Sequence, residues 1–148
     1  MNKKTLLIAT LSITLVACAG VNTTNTSVCG ENLNGPKDAK LTYRTKNKYE
    51  VSMDLKYDVK NNSEFRIQLD PKQNSDDAEI EIIGKSGELP DKSPTDFSWL
   101  NKKGKAADFP NKTMILCVPP NLPDKTMFKF DVEVGGIGSI DPRLEVIN

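Results

Sequence analysis

The chain has 148 residues, with 20 Lys and Arg against 20 Asp and Glu, three cysteines and no histidine. That length holds one hydrophobic core and not two domains with a linker. The missing histidine excludes Ser-His-Asp and Cys-His catalysis and the common zinc and copper sites, and without a basic stripe nucleic acid is not an expected partner.

Lys3 and Lys4 give the chain a positive start, and Thr5 to Val16 is apolar. At about twelve residues this stretch is too short to cross a bilayer as a helix, which takes roughly 20. A cationic start and a short apolar stretch fit an export signal better than a transmembrane anchor or a core helix. The stretch ends in Leu15-Val16-Ala17-Cys18, which resembles the lipobox of bacterial lipoproteins. The resemblance implies a signal peptide over residues 1–17, cleavage before Cys18, and a thioether diacylglycerol on Cys18, usually with a third acyl chain on the new amino group. One acyl chain holds a protein marginally and two or more hold it firmly. Ala19 stands where the enteric sorting rule places Asp for inner-membrane retention, so the resemblance also implies the outer membrane. Beyond the signal the chain carries 18 basic and 20 acidic side chains, a net charge of −2.

The compartment implied by the lipobox is oxidising, so the remaining Cys29 and Cys117 are expected to pair. The bridge would close a loop of 88 residues, worth on the order of 4 kcal/mol in lost unfolded-state entropy. A redox-active pair or a thiolate metal site is the alternative, but there is no C-x-x-C and no histidine to support it. Residues 18–38 read as the lipidated N-terminus and a short flexible tether, polar through Val21-Asn-Thr-Thr-Asn-Thr-Ser27, and residues 39–148 as the folded domain.

That domain reads as strands. Leu41 and Tyr43 sit two apart, and Lys48 to Val59 alternates polar and apolar throughout. Period two buries one face of a strand and wets the other. Phe65-Ile67-Leu69, Ile80-Ile82, Phe97-Trp99, Phe128-Phe130-Val132-Val134 and Leu144-Val146 repeat the signal. Met114 to Val118 is continuously apolar, as expected of a central strand covered on both faces. The nine prolines fall between these segments, where they delete no ladder hydrogen bond. One helical turn is expected at most, near Lys102 to Asp108. Seven or eight strands at this spacing predict an all-β fold, a single antiparallel β-sandwich. The long loops, Pro71 to Ala78, Gly84 to Asp96 and Asn101 to Asn111, are where a recognition surface is expected.

Candidate chemistry is sparse. Asp76, Asp77, Glu79 and Glu81 form an acidic cluster that reads as a solvated face, with calcium as the alternative. Gly135-Gly136-Ile137-Gly138 follows a strand but precedes no helix, so it reads as a hairpin turn and not a phosphate loop. There is no S-x-x-K motif, and the Asn-x-Ser/Thr patterns at Asn61 and Asn111 mark surface loops. Nearly all aromatics fall at inward positions; Tyr57 and Trp99 are the ones whose exposure would mark a binding patch.

Phe128 to Val146 resembles the closing hairpin of cupredoxin-like sandwich domains, within a broader Ig-like/cupredoxin-like architecture. The resemblance implies architecture alone, because copper sites there use histidine. The expected function is a non-enzymatic envelope module with no cofactor. It would be held to the membrane through the lipid on Cys18 and bind an unknown envelope protein or glycan. The alternatives are a periplasmic inhibitor of a lysozyme-like enzyme and an accessory lipoprotein of a secretion or assembly complex.

Overall fold

The computed structural model describes residues 27–44, 50–73 and 75–148. The signal at 1–17, Cys18 and the tether up to residue 26 lie outside the described residues, as do Lys48 and Tyr49 of the first long alternation.

The described residues form ten strands: β1 (Lys37–Arg44), β2 (Glu50–Ser52), β3 (Lys56–Val59), β4 (Ser63–Lys72), β5 (Glu79–Glu88), β6 (Lys102–Lys105), β7 (Thr113–Val118), β8 (Met127–Val134), β9 (Gly138–Ile140) and β10 (Arg143–Val146). One sheet has the order β2-β1-β4-β7. The other has the order β3-β10-β8-β5-β6, with β9 also on β8. The two sheets face each other as the expected all-β sandwich. Ala39, Leu41, Tyr43, Phe65, Ile67, Leu69, Met114, Leu116 and Val118 point inward from the first sheet. Tyr57, Val59, Ile80, Ile82, Phe128, Phe130, Val132, Val134, Leu144 and Val146 meet them from the second.

The sheets are mixed rather than purely antiparallel. β1 runs parallel to β4, and β3 runs parallel to β10. The cause is a change of sheet inside the stretch that alternates without error. Met53 is buried, Leu55 is 60% exposed, and the chain passes from β2 in one sheet to β3 in the other. Parallel neighbours need a crossover, and the excursion through β3 supplies it for β1 and β4.

Other departures have local reasons. The body begins before residue 39: β1 starts at Lys37, Asn34 N–H donates to the Asn62 carbonyl at 2.8 Å, and Cys29 is bridged to Cys117. β7 is an edge strand, not a central one; Ile115 and Cys117 face outward beside the inward Met114, Leu116 and Val118. Pro71 lies within β4, not between strands. β7 stops opposite Gln68, so past that point β4 has a neighbour on one side alone and a residue without an N–H fits. β5 runs through Gly84 and Gly87, where a loop was expected. A Cβ at Gly84 would lie 2.7 Å from the Phe97 ring, and one at Gly87 2.8 Å from the Phe128 ring, so the missing side chains admit those rings. Phe97 caps a 3-10 turn (Ser98–Leu100) that contains Trp99, rather than the two forming a strand, and a second such turn (Ala106–Asp108) follows β6. No helix among the described residues is long and apolar enough to cross a membrane.

Candidate functional site

The outer face of the six-stranded sheet is interrupted at one place on both sides of β8. On one side, Ile83 lies opposite Asp131, Gly84 opposite Phe130 and Ser86 opposite Lys129, so Lys85 is an extra residue. Such bulges re-aim a side chain, and the Lys85 ammonium pairs with the Asp131 carboxylate. On the other side, β9 pairs with Val132–Val134 and β10 with Met127–Lys129. Between them sit Asp141 and Pro142. Proline has no N–H to continue the ladder, and its carbonyl accepts from Phe130 N–H at 3.3 Å. The result is a solvent-open depression of about 520 Å³ lined by Lys85, Lys129, Phe130, Asp131, Asp141, Pro142 and Arg143.

Two carboxyls meet in it. A hydrogen bond from Asp141, then the ion pair with Lys85, holds Asp131 below the usual carboxylate range. The same contact raises Asp141, first through the hydrogen bond to Asp131 and then through its charge. Asp141 is therefore the more readily protonated of the two. A raised acid adds stability while it is protonated, and that stability is lost as pH rises through its folded pKa. Asp141→Asn keeps a donor toward Asp131 without the charge. Its melting temperature is expected to match wild type in strong acid and to exceed it at neutral pH, as read by thermal melts across pH. An equal or lower value at neutral pH would show that the two carboxyls do not oppose each other.

Above the pair lies a row of like charge. Arg143 is directly opposite Lys129 on β8 and also in register with Lys56 on β3. Opposed side chains on one face lie roughly 5 Å apart at Cβ, and like charges there are unfavourable. Lys56 is balanced by Glu145 at 2.8 Å and Asp58 at 3.6 Å. Arg143 and Lys129 make no ion pair with a described residue. The outer face of the other sheet differs: Arg44 pairs with Glu50, Arg66 with Glu64 at 2.7 Å, and Lys40 and Lys72 both with Asp70, at 2.8 and 2.7 Å. Of the three arginines, Arg143 is therefore the one without a carboxylate partner among the described residues.

The expected site residues fall elsewhere. Cys29 and Cys117 form the disulfide. It fastens the turn at Ser27–Gly30 to the outer face of the four-stranded sheet, where the Ser27 hydroxyl also donates to Glu64. Cys18 lies outside the described residues. In the acidic cluster, Glu79 and Glu81 share Lys103, at 2.9 and 3.3 Å, and Asp76 takes Lys112 at 3.3 Å. No group of three or more metal-ligating side chains occurs among the described residues. Gly135 to Gly138 makes the β8–β9 hairpin, with Gly136 at φ 71°. Tyr57 is buried and Trp99 packs edge-on against Phe128 at 5.1 Å, so neither forms an exposed patch. Burial pushes the Tyr43 and Tyr57 hydroxyls up to about 12, which keeps both protonated at neutral pH.

Lys85, Asp131, Asp141 and Arg143 were not singled out in the sequence. The available signals were Gly84-Lys-Ser-Gly87 breaking one alternation and Asp141-Pro142 breaking another. The arrangement brings three cations and two carboxyls into one open depression.

No family model matches the chain, and no curated protein sequence does. Among solved structures, the N-terminal domain of phage TP901-1 ORF48 is similar at 10% identity and a TM-score of 0.35, covering 78% of this chain and 100% of that one. A likeness at that level carries no argument about function.

Proposed function

We propose that the chain is a lipoprotein anchored in the outer membrane through Cys18. In this reading the sandwich is a non-enzymatic binding or structural module of the cell envelope, with a protein or glycan partner. The observation that carries the reading is Leu15-Val16-Ala17-Cys18 closing a short cationic-apolar leader. The Cys29–Cys117 disulfide supports it, because such bonds persist outside the reducing cytosol. The polar stretch from Cys18 to Cys29 can reach at most about 40 Å when fully extended. It joins the domain on the outer face of the four-stranded sheet, whereas the depression opens on the outer face of the six-stranded sheet. A lipid pulling on the first face leaves the second open to a partner.

The test is metabolic labelling with a palmitate analogue followed by separation of inner and outer membranes. Wild type is expected to take the label and sediment with the outer membrane. Cys18→Ala is expected to lose the label entirely and appear at least tenfold enriched in the soluble fraction, since no acyl chain then holds it. Unlabelled wild type, or a Cys18→Ala variant that fractionates like wild type, would overturn the reading.

A further inference from the structure

We propose that the depression between Lys85 and Arg143 is a subsite for a saccharide bearing a carboxylate or a phosphate, with Arg143 and Lys129 holding the anion and the Asp131–Asp141 pair holding hydroxyls. The inference deepens the envelope-module reading and rests on it for the source of the sugar.

Three observations converge. Arg143 and Lys129 face each other across one register position with no carboxylate between them, an arrangement that costs free energy until an anion bridges it. The guanidinium fork matches a carboxylate or phosphate with two parallel hydrogen bonds. Every arginine on the opposite sheet is already paired with a carboxylate, so the facing cations belong to this face. The second observation is geometric. Both strands flanking β8 are broken at the same level, one by the bulge at Lys85 and one by Pro142, which opens a concave space of about 520 Å³ beside β8. That volume accommodates one or two sugar rings. The third is the content of the floor. Asp131 and Asp141 supply acceptors, and Asp141 when protonated supplies a donor; the Pro142 ring gives the space an apolar side. Anion holders on the rim and paired carboxyls on the floor suit a ligand with one negative group and several hydroxyls. A bare anion would meet the carboxyls as repulsion.

The experiment is calorimetric titration of the full-length lipidated protein in detergent micelles. The probes are a glucuronate-containing tetrasaccharide, a sugar phosphate, chitotetraose as the uncharged control, and inorganic phosphate. At least one charged saccharide is expected to bind, with chitotetraose at least tenfold weaker. Arg143→Gln and Lys129→Gln should each weaken it by about tenfold, the scale of one charge-assisted contact. Asp141→Ala should weaken the saccharide and leave inorganic phosphate unchanged or tighter. Lys40→Gln, on the other face, should change nothing, and thermal melts check that each variant is folded. The charged arms distinguish a carboxylate source from a phosphate source. Binding of inorganic phosphate as tight as the saccharides, binding indifferent to Arg143→Gln and Lys129→Gln, or no binding of either charged saccharide overturns the proposal. The labelling of Cys18 is untouched by that failure, so the two readings fall separately.

Discussion

Replacing Cys29 and Cys117 together by Ser is expected to lower the unfolding free energy by about 4 kcal/mol, read from urea denaturation of the full-length protein beside the oxidised wild type. The bridge closes 88 residues, so its loss returns a large loop-closure entropy to the unfolded chain. A domain of this size is stable by only about 5–15 kcal/mol. The native side loses something as well. The turn at Ser27–Gly30 holds onto the body through this bond and through the Ser27 hydroxyl on Glu64. Glu64 is 4% exposed. Burial alone would push its carboxyl up, but the Ser27 hydrogen bond and the Arg66 guanidinium outweigh this and hold it below the usual range. A depressed carboxylate adds stability above its ordinary pKa and loses it as pH falls through the folded value. The gap between wild type and the double variant should therefore narrow in acid, where Glu64 protonates and the Ser27 contact no longer matters. A loss under about 1 kcal/mol at neutral pH would mean that the unfolded chain keeps the two ends close without the bond.

How far the sequence reveals the fold depends on which residues carry the information. Phe128 to Val134 alternates, and β8 buries those four apolar residues as period two demands. The pairing of Cys29 with Cys117 was legible from the implied compartment. The split of the Lys48 to Val59 stretch was not, because alternation records which side faces the core and a strand that changes sheets keeps facing the same core. Gly84 and Gly87 looked like loop residues because their role is to make room for Phe97 and Phe128, which lie elsewhere in the chain. Met114 to Val118 looked central because an outward Ile115 and a bridged Cys117 are apolar by letter. The depression was the least legible feature. Its five charged residues come from β5, β8, the β9–β10 break and the start of β10, and they meet through strand register, which no local pattern encodes. The breaks at Gly84 and at Pro142 were visible separately; that they fall at one level of β8 was not.

Phe65→Ala is the second large expected effect, a loss of about 3–5 kcal/mol. Phe65 is fully buried on β4 and faces the other sheet. Its ring lies 5.0 Å from Tyr57 on β3 and 6.3 Å, edge-on, from Phe130 on β8. One side chain thus connects the four-stranded sheet to two strands that flank β10. Tilted and edge-on pairs of this kind add about 0.5–1.5 kcal/mol beyond area burial, so the upper half of the range is expected. Phe65→Leu keeps most of the volume and should cost markedly less. Urea midpoints at constant slope check both; a changed slope would signal a loosened native state. The variant is not independent of the disulfide. Phe65 follows Glu64, which lies opposite Cys117, and is itself opposite Leu116. Neighbours that share a strand couple, so the triple variant should depart from the sum of the two losses by more than about 0.5 kcal/mol. Exact additivity would show that the staple on the outer face and the aromatic contact on the inner face hold β4 separately. Coupling would show that they act through the same short stretch of backbone, with the bridge holding the Ser27–Gly30 turn on β7 beside Glu64 of β4 and Phe65 fixing β4 against β8.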